Sequence, residues 1–155
     1  STDVIVGFCG ETDDQFRSTL RLLETVRYDQ VFAAAYSERP GTPATRLVDD
    51  VPAAVKRERL NELLAVQEGI GHERNRAYLG RELQVLVEAV TAPRSHDHED
   101  AAELGAPMRG PGVTGRSREH KLVHLPGGAE LVGRLVTARI EHAGPYALRG
   151  TLVGA

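Results

Sequence analysis

Apolar residues recur with two different periods along this chain. From Val4 to Phe8 they form a continuous, β-branched run, the pattern of a strand covered on both faces as in a parallel α/β sheet. The turn Cys9-Gly10-Glu11 follows, and Thr12 to Gln15 then reads as a capping box, with Thr12 and Gln15 each satisfying a backbone N–H of the first helical turn. Phe16, Leu20, Leu23 and Val26 return at helical spacing, which predicts a helix over 12–27 with Arg17, Arg21 and Glu24 on its outer side. A second apolar run, Gln30 to Tyr36, completes a strand–helix–strand unit. Two strands do not make a stable parallel sheet by themselves, so this part reads as a slice of a larger α/β domain with further chain upstream.

The stretch Ser37-Glu38-Arg39-Pro40-Gly41-Thr42-Pro43 is a stiff loop at the carboxyl end of a strand, where α/β folds place their active-site loops. Pro52 opens a long helix. Val55, Leu60, Leu63, Leu64, Gln67 and Ile70 give it a stripe, Arg74 to Tyr78 forms its last turns, and Gly80 stops it. Beyond Gly80 the period shortens to two. Leu83, Val85 and Val87 alternate with Gln84, Leu86 and Glu88, and short strands follow at Gly112–Ser117, Lys121–Leu125, Gly133–Ile140 and Tyr146–Val153. Close spacing with glycine punctuation predicts a small barrel. Residues 93–111, rich in Pro, Gly, His, Asp and Ala, read as a flexible insert within it.

Composition narrows the chemistry. The net charge of −3 argues against a chain that is basic overall, so any nucleic-acid face must be a local patch. Aromatics at 5% and the absence of Trp limit base stacking as a recognition mode. Cys9, the one cysteine, can neither form an internal disulfide nor hold a metal cluster, and reads as a buried small hydrophobe in a cytosolic setting. No apolar run approaches a membrane span, and no secretory signal opens the chain. His96-Asp97-His98-Glu99-Asp100 carries metal-ligand chemistry, but it lies in the insert without rigid support, so a solvated loop is preferred and no metal site is expected.

Three stretches resemble one family. Residues 3–12, DVIVGFCGET, are similar to the DIVGFPGET segment of radical S-adenosylmethionine methylthiotransferases. Residues 36–44, YSERPGTPA, resemble their YSPRPGTPA loop. Residues 115–127, GRSREHKLVHLPG, resemble the GRTRENRVVNFPG core of their TRAM domain, and the helix ending Glu73 to Arg76 also fits. The likeness spans nearly the whole chain outside the insert, in the correct order. Cys9 and Glu38 stand where the family usually has proline, and the family's three-cysteine cluster motif is absent. The resemblance is to the tRNA-modifying (MiaB) type. It implies the carboxy-terminal part of a radical-SAM partial TIM barrel over residues 1–79, followed by a small antiparallel TRAM barrel of OB-like type over 80–155.

The resemblance further implies a transferase that methylthiolates an isopentenylated adenosine beside the tRNA anticodon. Its cofactors would be S-adenosylmethionine and 4Fe–4S clusters whose ligands lie in amino-terminal domains of the parent enzyme, so this segment alone is expected to be inactive. Ile5, Gly7, Gly10 and Glu11 would line the S-adenosylmethionine site: Ile5 against the adenine, the glycines by close backbone approach, Glu11 by accepting a hydrogen bond. The alternative is a plain tight turn, with Glu11 favouring the following helix N-terminus. Arg39, Gly41 and Thr42 would face the active-site mouth, Arg39 as a phosphate or carboxylate ligand. Its alternative is a surface ion pair with Asp49 or Asp50.

Arg116, Arg118, His120 and Lys121 would contact the tRNA anticodon stem-loop, with Arg116 and Arg118 on one face if the strand runs through Ser117, and Arg134, Arg139 and Arg149 extending the patch. The alternative is solvated charge balancing Glu119, Glu130 and Glu141. Two rival readings are a ribosomal-protein aspartate methylthiotransferase of the same family and a non-catalytic RNA-binding module. The basic Arg116–Lys121 segment favours the tRNA branch over the first, and the strand-and-loop slice argues against the second.

Overall fold

The first predicted strand forms over Thr2–Val6 (β1) and pairs in parallel with Val31–Ala35 (β2), Val4 opposite Ala33 and Val6 opposite Ala35. This computed structural model describes residues 1–91 and 111–154, so the 93–111 insert and its His/Asp cluster lie, but for Pro111, outside the described residues. The chain divides into two units, Ser1–Gly71 and His72–Ala155.

In the first unit, helix α1 spans Asp13–Val26. Its capping box is present in both directions: the Gln15 N–H donates to Thr12 Oγ1 at 3.3 Å, and the Thr12 N–H donates to Gln15 Oε1 at 2.9 Å. A 3-10 turn follows at Pro43–Arg46, and then helix α2, Ala53–Arg76, which continues through Gly69 and Gly71. The core is Val6, Phe16, Leu20, Leu23, Leu63 and Ile70, with Val4, Val31 and Ala33 packed on it. Truncating a fully buried leucine such as Leu63 would cost about 2–5 kcal/mol.

Two expectations are corrected here. β1 is not covered on both faces: the core takes Val4 and Val6, while Ile5 is 58% exposed and Phe32 on β2 is 55% exposed. The helices pack on one side of the two-stranded sheet only. The α2 stripe is corrected at one position. Leu63, Gln67 and Ile70 are buried and Leu60 packs on the core, as expected. Leu64 is instead exposed, and the buried face runs through Lys56, Arg59, Leu63, Gln67 and Ile70.

In the second unit, β3 (Glu82–Thr91), β4 (Gly112–Ser117), β5 (Leu122–Pro126), β6 (Leu135–Ala143) and β7 (Leu148–Leu152) close into a barrel in the order β3-β4-β5-β7-β6. Alternation does what the pattern predicts: Leu83, Val85 and Val87 point into the barrel with Val113, Val123, Leu125, Ile140 and Leu148. The barrel is not wholly antiparallel, because β5 and β7 run parallel, with Val123 opposite Leu148. The topology is that of a five-stranded Greek-key barrel of OB-like type, in which a crossover carries the chain from β5 through the 3-10 turn Ala129–Leu131 to β6. Close strand approach demands glycine at position 115, where a Cβ would lie 2.2 Å from the Leu86 carbonyl oxygen.

Candidate functional site

The turn after β1 is built around carboxylates from elsewhere in its own unit. Gly7 has φ +70° and Gly10 φ +76°, both in the region that favours glycine. The Gly7 N–H donates to Glu11 Oε2 at 2.7 Å, and the Gly10 N–H donates to Asp50 Oδ1 at 2.7 Å. Glu11 Oε2 also accepts from Arg59 Nη1 at 2.7 Å, while Arg59 Nη2 reaches Asp13 Oδ1 at 2.7 Å. The Arg59 side chain is only 7% exposed. Burial disfavours its charge, but the hydrogen bonds to Asp13 and Glu11 outweigh that and raise its pKa. Lys56 is the second buried cation. Its Nζ meets Asp49 Oδ1 at 2.6 Å and lies 5.0 Å above the centre of the Tyr36 ring.

These partners decide what the turn offers a ligand. An open groove is lined by Phe8, Cys9, Gly10, Glu11 and Gln15. The Gly7 and Gly10 amides and Glu11 Oε2 are already engaged within the chain. Ile5 and Phe8 are exposed apolar side chains, Phe8 with its ring packed edge-to-face on Tyr36 at 4.9 Å. Glu11 thus acts as the anchor of the turn, and Ile5 presents an exposed apolar surface on the preceding strand. Cys9 is half-buried beside Tyr36 rather than fully buried. One thiol does not fit a 4Fe–4S cluster, which takes several.

In the loop after β2, Arg39 is exposed, and its carbonyl accepts from the Thr42 hydroxyl at 2.9 Å and the Thr42 N–H at 3.3 Å. Gly41 sits at φ +85° with open space around it. Asp49 pairs with Lys56, and Asp50 accepts from the Gly10 N–H. No ion pair of Arg39 with either aspartate is present among the described residues.

The cationic segment of the barrel is a tight turn between β4 and β5. The Ser117 N–H donates to the Lys121 carbonyl at 3.0 Å, and the His120 N–H donates to the Ser117 carbonyl at 3.0 Å. His120 takes φ +59°, a conformation that histidine and asparagine tolerate better than most residues. The buried Ser117 hydroxyl donates to Glu119 Oε2 at 2.8 Å and accepts from the Glu119 and Lys121 N–H groups at 3.2 and 3.3 Å. That hydrogen bond from Ser117, with one from the backbone of Glu119 and the charges of Arg81 and Arg118, holds the Glu119 carboxyl below its usual pKa.

β4 ends at Ser117, so Arg118 stands in the turn rather than on the strand. It nevertheless joins Arg116 over the outer face of β3: Arg118 Nε donates to Gln84 Oε1 at 3.0 Å, and Arg116 Nε lies 3.8 Å from Glu88 Oε2. Lys121 and Arg81 both lie over the Tyr78 ring, 5.7 and 5.3 Å from its centre. Arg139 pairs with Glu82 at 3.0 Å. Glu130 accepts from the Gly128 N–H, and Glu141 accepts from Thr151, so neither is held in place by an arginine of the expected patch. Sequence reasoning missed Lys56, Arg59, Tyr78 and Arg81. The helical phase shared by 56, 59, 63, 67 and 70 carried the signal for the first two, but their charge argued for exposure.

No family model matches the chain. It is 40% identical over 153 residues to a tRNA-2-methylthio-N(6)-dimethylallyladenosine synthase of Acetivibrio thermocellus, covering 99% of this chain and 29% of that protein. A protein of the same name from Bdellovibrio bacteriovorus is 40% identical over 99% of the chain and 30% of its own length. One from Clavibacter sepedonicus is 42% identical over 96% of the chain and 26% of its own length. The chain thus spans about three-tenths of the length of the curated relatives it matches, at their carboxy-terminal end. As the three motifs implied, the chain is a relative of the tRNA-2-methylthio-N(6)-dimethylallyladenosine synthases.

Proposed function

We propose that this chain is the carboxy-terminal part of a radical S-adenosylmethionine tRNA methylthiotransferase, which converts N6-isopentenyladenosine beside the anticodon to its 2-methylthio derivative. The observation that carries the reading is the 40% identity over 99% of the chain to proteins of that name. Residues 1–79 would contribute to the α/β domain and 80–155 would form the RNA-binding TRAM barrel. When bound, S-adenosylmethionine supplies the methyl group and the radical chemistry. Ile5 would offer it an apolar contact, and Gly7, Gly10 and Glu11 would shape the turn it lies against. The 4Fe–4S ligands would come from other domains of the parent, and the segment alone would not turn over.

The barrel would contact the anticodon stem-loop through Arg116, Arg118, His120 and Lys121. The loop of Arg39, Gly41 and Thr42 would face the substrate. No helix among the described residues is long and apolar enough to cross a membrane.

The test is a salt-dependent binding titration of this chain with an anticodon stem-loop RNA, beside a ribosomal-protein peptide bearing an aspartate. Preference for the RNA, with affinity falling as salt rises, is expected. Preference for the peptide would transfer the protein to the ribosomal branch, and binding to neither would remove the barrel from substrate recognition.

A further inference from the structure

The loop between β6 and β7 is buried except at one residue. Ala143, Gly144, Pro145, Ala147 and Leu148 are all buried, while Tyr146 between them is 61% exposed. The loop is also clamped. The Gly144 N–H donates to the Ala147 carbonyl at 2.9 Å. Asn75, itself 3% exposed, donates through Nδ2 to the Gly144 and Pro145 carbonyls at 2.7 and 3.1 Å. An aromatic ring on a turn fixed in this way loses little conformational freedom when a flat ligand stacks on it.

The register places this loop beside the cationic turn. Leu148 pairs with Ala143 on β6 and with Val123 on β5, so residues 144–147 lie next to the start of β5 and the 117–121 turn that precedes it. Arg81 belongs to the same end of the barrel. Its carbonyl accepts from the Ile140 N–H at 2.9 Å, and with Arg118 it acts electrostatically on Glu119. Lys121 and Arg81 are already held over Tyr78, so Tyr78 serves to order the cations. Tyr146 is the aromatic at this end that stands exposed. The residues flanking it in the loop are buried, so within the loop the ring is the exposed surface. An exposed aromatic beside cations able to take phosphates suits a nucleobase on a charged backbone.

We propose that Tyr146 is a stacking platform for an unpaired RNA base, with Arg118 and Lys121 taking the adjacent phosphates. This rests on the RNA reading above and adds to it the single-stranded character of what the barrel end holds.

The test uses the whole chain with two RNAs, a stem-loop with an unpaired loop and a fully paired duplex of equal length. Tyr146→Ala is expected to weaken binding to the stem-loop by about 5- to 150-fold while leaving the duplex affinity and the salt slope unchanged. Tyr146→Phe should bind like the parent. The chain has no Trp, so Tyr146→Trp introduces a single indole whose emission should be quenched as the stem-loop saturates it. Parent-like stem-loop binding by Tyr146→Ala, or indole emission unmoved at saturation, would overturn the stacking proposal while the RNA reading stood. A parent chain that binds neither RNA would overturn both.

Discussion

Glu11 Oε2 accepts two hydrogen bonds at 2.7 Å, one from the Gly7 N–H four residues before it and one from Arg59 on α2. The ion pair thus joins the turn after β1 to the helix from which Arg59 projects. Arg59→Met keeps the length of the side chain and removes its charge. It would strand the Glu11 carboxylate in a poorly solvated place, and breaking a buried pair in this way costs about 3–5 kcal/mol. The double variant Glu11→Gln with Arg59→Met should recover part of that loss, because the one carboxylate left unpaired, Asp13, is 77% exposed and solvated. Urea denaturation would measure both. A loss for Arg59→Met no larger than for Arg139→Met, whose pair with Glu82 is exposed, would contradict the assignment.

Gly7 and Gly10 share a positive φ, but their surroundings differ. A Cβ on Gly7 would meet Lys56 Cγ at 2.4 Å, whereas one on Gly10 would meet nothing within 4 Å. Gly10→Ala should therefore show only the backbone cost, about 1–2 kcal/mol. Gly7→Ala adds the displacement of a lysine stem whose head is pinned on Asp49, for a further 1–3 kcal/mol or so. Equal melting shifts for the two variants would show that Lys56 moves aside freely.

The elements were legible in the sequence wherever pattern and local chemistry agreed. The capping box at Thr12 and Gln15 and the alternation of Leu83, Val85 and Val87 are local signals, and both stand in the structure. What was not legible depended on long-range pairing. Nothing in the short runs at 122–126 and 148–152 says that β5 and β7 pair in parallel. Charge concealed the inner face of α2, because lysine and arginine are buried only when a partner waits: Asp49 lies in the loop before the helix, and Glu11 and Asp13 come from distant positions. Of the candidate site, the Arg116–Lys121 segment was singled out by its likeness to the family's barrel motif, because its residue types alone read as solvated charge. Its supports Gln84, Glu88 and Tyr78, which decide how far each cation is committed, come from other elements.

Gly115, like Gly150, should be among the least replaceable residues of the barrel wall, because a Cβ at either would meet a backbone carbonyl oxygen. A Cβ on Gly115 would lie 2.2 Å from the Leu86 carbonyl oxygen and 2.8 Å from a Val85 methyl. Backbone cannot step aside as a side-chain tip can. Gly115→Ala should therefore cost at least about 3 kcal/mol, above the usual range for overpacking. Gly133→Ala, with open space at φ +82°, should cost less. Denaturation midpoints of the two variants in the opposite order would refute the claim.

Acid should loosen the β4–β5 turn. The folded pKa of Glu119 is lowered, first by the hydrogen bond from Ser117, so its contribution is fully present above the unfolded carboxyl value of about 4.3. It is lost as pH falls from there through the lower folded value. The carboxylate is exposed, so screening keeps the effect below about 1 kcal/mol. Glu119→Gln should be slightly less stable than the parent at neutral pH and converge with it in acid. A stability gap independent of pH would mean that the carboxylate's charge plays no part in holding the turn.

Arg116 and Arg118 should differ in what they contribute to RNA binding. Arg116 already faces Glu88 at 3.8 Å, so a phosphate must compete with a carboxylate for it. Arg118 donates to the neutral amide oxygen of Gln84 at 3.0 Å, and the carboxylate that feels its charge, Glu119, is bound first by Ser117, so more of its charge is left for a partner. A phosphate contact on single-stranded RNA adds roughly 0.7 to the slope of log affinity against log salt. Arg118→Ala should therefore flatten the slope by close to that amount. Arg116→Ala should flatten it less, because the cation it removes is already shared with Glu88. Glu88→Gln should then strengthen binding by freeing Arg116, which gives the comparison an internal check. Titrations over a series of salt concentrations would separate these effects. A slope unchanged in Arg118→Ala would move the phosphate contacts off this turn.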